Sequence, residues 1–446
     1  MAPAKFNIKT ASSFFLVLYA TMILLFALPC FSSDPDPLQD FCVADLNSTT
    51  TTVNGYPCKP ESQGTSKDFI YSGLVEEAST DNPEGVGGRL GNVKSFPGIN
   101  TLGISVSRID LALGGIVPLH VHPRASEINY IVKGEVNFGF ISTSNVLYSG
   151  VVKAGQMSVV PRGLVHYAKN VGGEKAVVLG ILNSQLPGSV LIPSNIFASN
   201  PTIPNGVLAK NFRVDETVIA NIKSNIKTAT SFFLVLYSTM ILFFALPCFS
   251  SDPDPLQDFC VADLSSTSTI VNGYSCKPAS TVTSNDFFYS GLMNETSTAN
   301  LFGFGATQGD VTTFPGLNTQ GLSINRLDLA PGGIIPLHSH PRASEANFIV
   351  KGEVTFGFIT TNNVVYSKLM KAGELNIIPR GLVHFAKNVG QEKAFILAIL
   401  NSQLPGFSTI PLNLFGSSPA IPNDILAKNF QVNESVIASI KSKFGN

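Results

Sequence analysis

Residues 114 to 134 read Gly114-Gly-Ile-Val-Pro-Leu-His-Val-His-Pro-Arg-Ala-Ser-Glu-Ile-Asn-Tyr-Ile-Val-Lys-Gly134. His120 and His122 lie two apart, so on a strand they share a face. Pro123 to Ser126 permit a turn, after which Glu127 can swing back toward them. A second box, Gly155-x5-Pro161-x-Gly163-x2-His166-x3-Asn170, supplies His166. The same four residue types recur as His338, His340, Glu345 and His384, and the chain's six histidines are all used in these two sets. Three imidazoles and one carboxylate would leave an octahedral ion two open positions. A nitrogen and oxygen shell without thiolate suits manganese or iron better than structural zinc, which prefers four closed ligands.

Around this cluster the texture is β-rich. Ser105 to Leu111 and Glu135 to Phe140 alternate apolar and polar residues, and Gly-Gly, Lys-Gly, Ala-Gly and Pro-Arg-Gly turns separate short runs from Leu102 to Asn183. Many short strands with regular turns predict an antiparallel sandwich or barrel. Residues 61 to 100, rich in Gly, Ser, Thr, Asn and Pro, read as surface loops. After Pro187-Gly188 the spacing becomes helical, and Val214 to Lys223 and Val432 to Lys443 read as amphipathic helices.

The whole pattern is written twice. Cys42, Cys58, Gly73, His120 and His166 recur as Cys260, Cys276, Gly291, His338 and His384, at a constant offset of 218. That period is too long for a solenoid or propeller. It marks a duplicated domain, with expected bounds 34–225 and 252–446.

Each copy also carries a leader. Residues 10 to 33 are uncharged, follow Lys5 and Lys9, and end in Pro-Cys-Phe-Ser-Ser, the form of a secretory signal (1–33) with cleavage expected near Ser32 or Ser33. Residues 228 to 251, within the segment 226–251, repeat it between Lys227 and Asp252. The internal copy reads as a membrane span, as a processing site releasing two proteins, as a buried helix, or as the join of two neighbouring genes; the last fits best, because every signal feature is kept.

In a secreted chain Cys42 and Cys58 should pair across a short loop, and Cys260 and Cys276 likewise. Asn47, Asn294 and Asn433 head N-glycosylation sequons. With 446 residues, 44% hydrophobic, 13% charged and a net charge of −1, the chain is apolar enough for real cores and has no basic run for a nucleic-acid partner.

The motif Gly114-x5-His120-x-His122-x4-Glu127-x6-Gly134 resembles the first box of the germins and germin-like proteins of plants, and Gly155 to Asn170 resembles their second. The arm from Ser33 to Asp45 and the Cys42/Cys58 pair are similar too. The resemblance covers nearly all of each copy. It implies two tandem cupin domains, antiparallel jelly-roll barrels with C-terminal helices. It also implies one manganese per barrel, held by His120, His122, Glu127 and His166 and by His338, His340, Glu345 and His384. An extracellular glycoprotein of the cell wall or apoplast is implied, assembled as a hexamer of cupin domains or a trimer of this two-domain chain. A membrane role is expected only if 228–251 is retained as a span.

The family includes oxalate oxidases, manganese superoxide dismutases and members with no clear activity. The oxidases resemble one another in two asparagines that hold the substrate; the matching positions here are Ser107 and Val117, and Asn325 and Ile335, so neither copy has both. An apolar side chain leaves a dianion's oxygens unpaired, which disfavours oxalate oxidation. The resemblance therefore implies superoxide as substrate, with a role in defence or stress response. A receptor or storage role, as in auxin-binding proteins or two-cupin seed globulins, is the alternative of a different class.

Overall fold

A computed structural model describes residues 40–48, 55–230, 258–266 and 273–444. The signal-like residues 10–33, and all but the first three residues of 228–251, lie outside these. No helix among the described residues is long and apolar enough to cross a membrane.

Each copy is an antiparallel β-barrel of two sheets. In the first copy, strands β1 (Ile70–Tyr71), β2 (Val86–Gly91) and β3 (Ser105–Leu111) precede the motif strands β4 (Ile116–Val121) and β5 (Glu127–Lys133). Then come β6 (Glu135–Ile141), β7 (Leu147–Lys153), β8 (Met157–Val160), β9 (Val165–Asn170), β10 (Ala176–Leu182) and β11 (Val190–Leu191). The second copy repeats the series as β12 (Phe288–Tyr289), β13 (Phe304–Thr307), β14 (Ser323–Leu329), β15 (Ile334–Ser339), β16 (Glu345–Lys351) and β17 (Glu353–Ile359). It ends with β18 (Val365–Lys371), β19 (Leu375–Ile378), β20 (Val383–Asn388), β21 (Ala394–Leu400) and β22 (Ser408–Thr409). The alternating segments 105–111 and 135–140 fall on β3 and β6 as their period predicts. Gly134, at φ +87°, makes the tight turn between β5 and β6.

The sheet orders are β11-β4-β9-β6-β7 and β12-β8-β5-β10-β3-β2 in the first barrel, and β18-β17-β20-β15-β22 and β1-β19-β16-β21-β14-β13 in the second. The two larger sheets trade an edge strand. β1 of the first copy pairs with β19 of the second, Ile70 opposite Asn376, and β12 pairs with β8, Phe288 opposite Ser158. The exchange corrects the reading of 61–100 as surface loop. Within that stretch Phe69 is only 3% exposed and packs edge-on against Phe358 at 4.9 Å and Tyr366 at 5.1 Å of the other barrel. Phe287 does the same to Phe140 at 4.7 Å and Tyr148 at 5.1 Å. The polar composition reflects the turns, while a few aromatic anchors carry the packing.

Because the barrels meet on these sheets, β5 is buried on both faces. Ile128 and Tyr130 enter the core shared by the two copies, whereas Ile131 enters the first barrel's own core. Burial pushes the Tyr130 hydroxyl up to about 12, against the opposing charge of Arg326. Gly155 is required twice over: its φ is +83°, and a Cβ there would stand 2.9 Å from the Met293 backbone of the other copy. Gly373 repeats this against Val75.

The helical arms follow. Ile192–Phe197 and Asn205–Phe212 lead to Glu216–Thr230, and Ile410–Phe415 and Asn423–Phe430 lead to Glu434–Lys441. The expected helices therefore start two residues late, because Arg213 and Gln431 adopt left-handed backbone that ends the preceding helix. Each arm has a small core, Leu208, Ala209 and Ile219 or Leu426, Ala427 and Ile437, and leaves apolar residues such as Phe212, Val218, Phe430 and Val436 exposed.

Both expected disulfides are present, Cys42–Cys58 and Cys260–Cys276. Buried Asn100 ties the first loop to the barrel: its Nδ2 donates to the Tyr56 carbonyl at 2.8 Å and its Oδ1 accepts from the Tyr56 N–H at 3.0 Å. Asn47, Asn294 and Asn433 are all exposed.

Candidate metal centre

Four ligand atoms, one each from His120, His122, Glu127 and His166, lie within 4.8 Å of one another inside the first barrel, and His338, His340, Glu345 and His384 do the same in the second. An ion with ligands at about 2.0–2.2 Å spans at most about 4.4 Å between opposite donors, so the clusters need only a slight contraction to close on one.

A bulge places the first histidine. Val117 pairs with Ala168 and His120 with His166, but the register shifts between them at Pro118-Leu119. Proline cannot donate to a ladder, and the resulting irregularity re-aims the following side chain. His338 follows the same shift after Ile335. Glu127 opens β5, directly across from Leu182 and Val160, and points into the barrel.

The imidazoles are oriented by backbone. Nδ1 of His120 donates to the Pro118 carbonyl at 2.8 Å, Nδ1 of His122 to Gly188 at 2.5 Å, and Nδ1 of His166 to Leu164 at 2.8 Å. Carbonyls only accept, so each Nδ1 carries the hydrogen and each Nε2 is left to face the cluster. His338, His340 and His384 bond the Pro336, Gly406 and Leu382 carbonyls in the same way. Nε2 of His166 then stands 3.0 Å, and Nε2 of His122 3.4 Å, from the same carboxylate oxygen, Glu127 Oε2. Lone pairs and a carboxylate oxygen meet stably only with a cation between them, a proton or a metal ion. The donor set thus fits a divalent cation on the chemistry of its own atoms.

Electrostatics agree. Burial and the neighbouring His166 hold His120 down to about 3, and His338 is likewise held to about 3 by burial and His384. A neutral imidazole is the ligand form. His122 is raised: burial opposes its charge, but Glu127 beside it wins. Glu127 is held well below the carboxylate range despite burial, through the charge and hydrogen bond of His122 and the hydrogen bond of His166.

The space beside the first cluster is narrow, about 10 Å³, and its walls are mainly apolar, including Ile109, Val117, Phe138 and Val178. A larger cavity, about 750 Å³, lies between the barrels near Thr143, Asp258 and Gln320, and holds none of the histidines. The two centres differ at the mouth. Phe407 lies 4.6 Å from the His338 ring and 5.7 Å from the His340 ring, where the first copy has Ser189. Sequence reasoning missed the Nδ1 acceptors and Phe407, since neither backbone carbonyls nor a residue 67 positions beyond His340 form a motif with it.

A duplicated barrel with a histidine and carboxylate cluster at each centre defines a two-domain cupin. The family model described as Cupin matches residues 72–220 and 290–438. The chain belongs to the cupin family and, within it, to the germin-like proteins, as a tandem duplicate. Germin-like protein subfamily T member 2 of Arabidopsis thaliana is 50% identical over 205 residues, 46% of this chain and 92% of that protein. A recombinant oxalate oxidase solved with glycolate is 47% identical, covering 44% of this chain and 98% of that one, with a TM-score of 0.43. The oxalate decarboxylase formate complex of Lactobacillus farciminis is 18% identical but spans 84% of this chain and 97% of that one, with a TM-score of 0.60. That likeness concerns the fold, and it extends across both barrels.

Proposed function

We propose that each barrel binds one manganese ion through His120, His122, Glu127 and His166, or His338, His340, Glu345 and His384, and that the protein dismutates superoxide outside the cell. The observation that carries the reading is the convergence of four ligand atoms in each barrel, with every Nε2 turned inward by a backbone acceptor. A bound manganese supplies one-electron chemistry, so that two superoxide ions and two protons become O2 and H2O2. The chain supplies the rest. Glu127 lowers the net charge at the site, the Nδ1 bonds hold the rings, and the apolar walls admit only a small reactant.

Oxalate oxidation is the less favoured reading. Val117 lines the space beside the cluster and Ile335 is buried at the matching place, so donors for a dianion are missing there. The disulfides and exposed sequons support a secreted glycoprotein. Matched exposed apolar residues on the helical arms support assembly into a trimer of this chain, since a face of that kind seeks a partner. A pure storage role would need no retained cluster, and both are retained; activity of the metal-loaded protein separates a catalyst from a receptor.

Elemental analysis and a superoxide assay on natively purified protein test the reading. Two manganese per chain and activity lost in His166→Ala/His384→Ala are expected. Metal-loaded protein without dismutase activity would overturn it.

A further inference from the structure

Two residues beyond Glu127 on β5, and on the same inward face, stands Asn129. It pairs across the sheet with Ser158 of β8 and Gly180 of β10. A Cβ at Gly180 would lie 2.9 Å from Glu127 Oε1, so this row runs directly beneath the carboxylate. Asn129 and Ser158 are each 2% exposed, and Asn129 lines the narrow space shared with His120, Glu127 and His166. Yet Nδ2 of Asn129 and Oγ of Ser158 have no hydrogen-bond partner. Buried amides and hydroxyls are almost always satisfied, and one left open beside a reactive centre calls for a functional account. The second barrel repeats the case: Asn347 is 0% exposed with both Nδ2 and Oδ1 unpaired, next to Asn376 where the first copy has Ser158.

We propose that the Asn129 and Asn347 carboxamides are specificity-determining donors that bind a small oxygen-type anion inside the barrel, beside the four-ligand cluster. The class is set by the site. Walls of Ile109, Val117, Phe138 and Val178 offer no donor, and the hydroxyl of Tyr167, which also lines the space, is already given to Asn137 Oδ1 at 2.9 Å; about 10 Å³ holds roughly one water-sized body, far less than a dicarboxylate. Nδ2 carries only hydrogens to give, so it selects an acceptor. A small anion that presents a single terminal acceptor atom to the amide fits; a dicarboxylate does not. The inference rests on the metal-bound reading above and names the group that would hold the reactant there.

The test uses the full-length chain loaded with manganese, and azide as the anion probe, with binding followed by calorimetry. Asn129→Leu/Asn347→Leu should keep two metal ions per chain and weaken azide tenfold or more. The same substitution in metal-free protein should leave the unfolding temperature unchanged or raised, because the buried Nδ2 groups make no bond that is lost. Wild-type azide affinity in the variant, or a lowered unfolding temperature in metal-free protein, would overturn the proposal. If the leucine variant does not fold, Asn129→Ala/Asn347→Ala is read by the azide criterion alone. Wild-type protein that binds azide in an asparagine-dependent way but lacks dismutase activity would support this inference while overturning the reaction assigned above. A chain that takes up no metal would overturn both.

Discussion

Asp40 and Thr361 are 321 positions apart in the chain and meet across the two barrels: Oδ2 of Asp40 accepts the Thr361 backbone N–H at 2.6 Å and its hydroxyl at 2.8 Å. Asp258 accepts the N–H and hydroxyl of Thr143 at the same two distances. The duplicated halves therefore contact each other by a two-fold rule, each giving the other what it receives. One chain thus builds internally an interface of the isologous kind.

This joint should make the barrels unfold together. Phe69 and Phe287 each fill the other barrel's aromatic cluster. Phe69→Ala should cost about 3–5 kcal/mol and destabilise both barrels. Calorimetry should still show one transition, at lower temperature; loss of the second barrel's transition alone would contradict the coupling.

Metal binding should be separable by domain. His166→Ala should leave one ion per chain, at the His338 centre, and His384→Ala one at the His120 centre. Metal at 100 times its dissociation constant adds about 2.7 kcal/mol per site, so each variant should lose part of the metal-induced rise in unfolding temperature and the double variant all of it.

Phe407 covers only the second centre. Chelator should therefore strip the two ions in two phases, the slower from the second barrel. Phe407→Ser, which copies Ser189, should merge the phases. Biphasic release that persists in this variant would locate the difference elsewhere.

The Cys42–Cys58 bridge spans 16 positions. Cys42→Ser/Cys58→Ser should cost about 3 kcal/mol in the chain-entropy model, measurable by denaturant midpoint, with metal content unchanged because the barrel ligands lie elsewhere.

Asp286 caps a short turn at the interface, accepting the Thr283 N–H at 2.8 Å and Lys277 Nζ at 2.9 Å. Burial raises its carboxyl, but the Thr283 and Lys277 contacts outweigh this and hold it below its ordinary 3.8. A depressed folded value stabilises above the unfolded one and is lost as pH falls through the folded one. Asp286→Ala should thus cost about 1 kcal/mol near neutral pH, and the difference from wild type should shrink as pH falls below the ordinary carboxylate range and through the lowered folded value.

Much of this protein was legible in one dimension. Strand period, turn glycines and the spacing of His120, His122, Glu127 and His166 are local properties, set by backbone pleat and side-chain type, so they declare the barrel and its cluster without coordinates. The constant offset of 218 does the same for the duplication. What only the folded chain decided depends on pairings between distant segments. The Gly188 carbonyl that turns His122, the β1 and β12 exchange that buries Phe69 and Phe287, and the unsatisfied Asn129 amide beneath Glu127 leave no trace in spacing. Strand partners are chosen by closure of the whole sheet, and no residue carries a record of its neighbour across it.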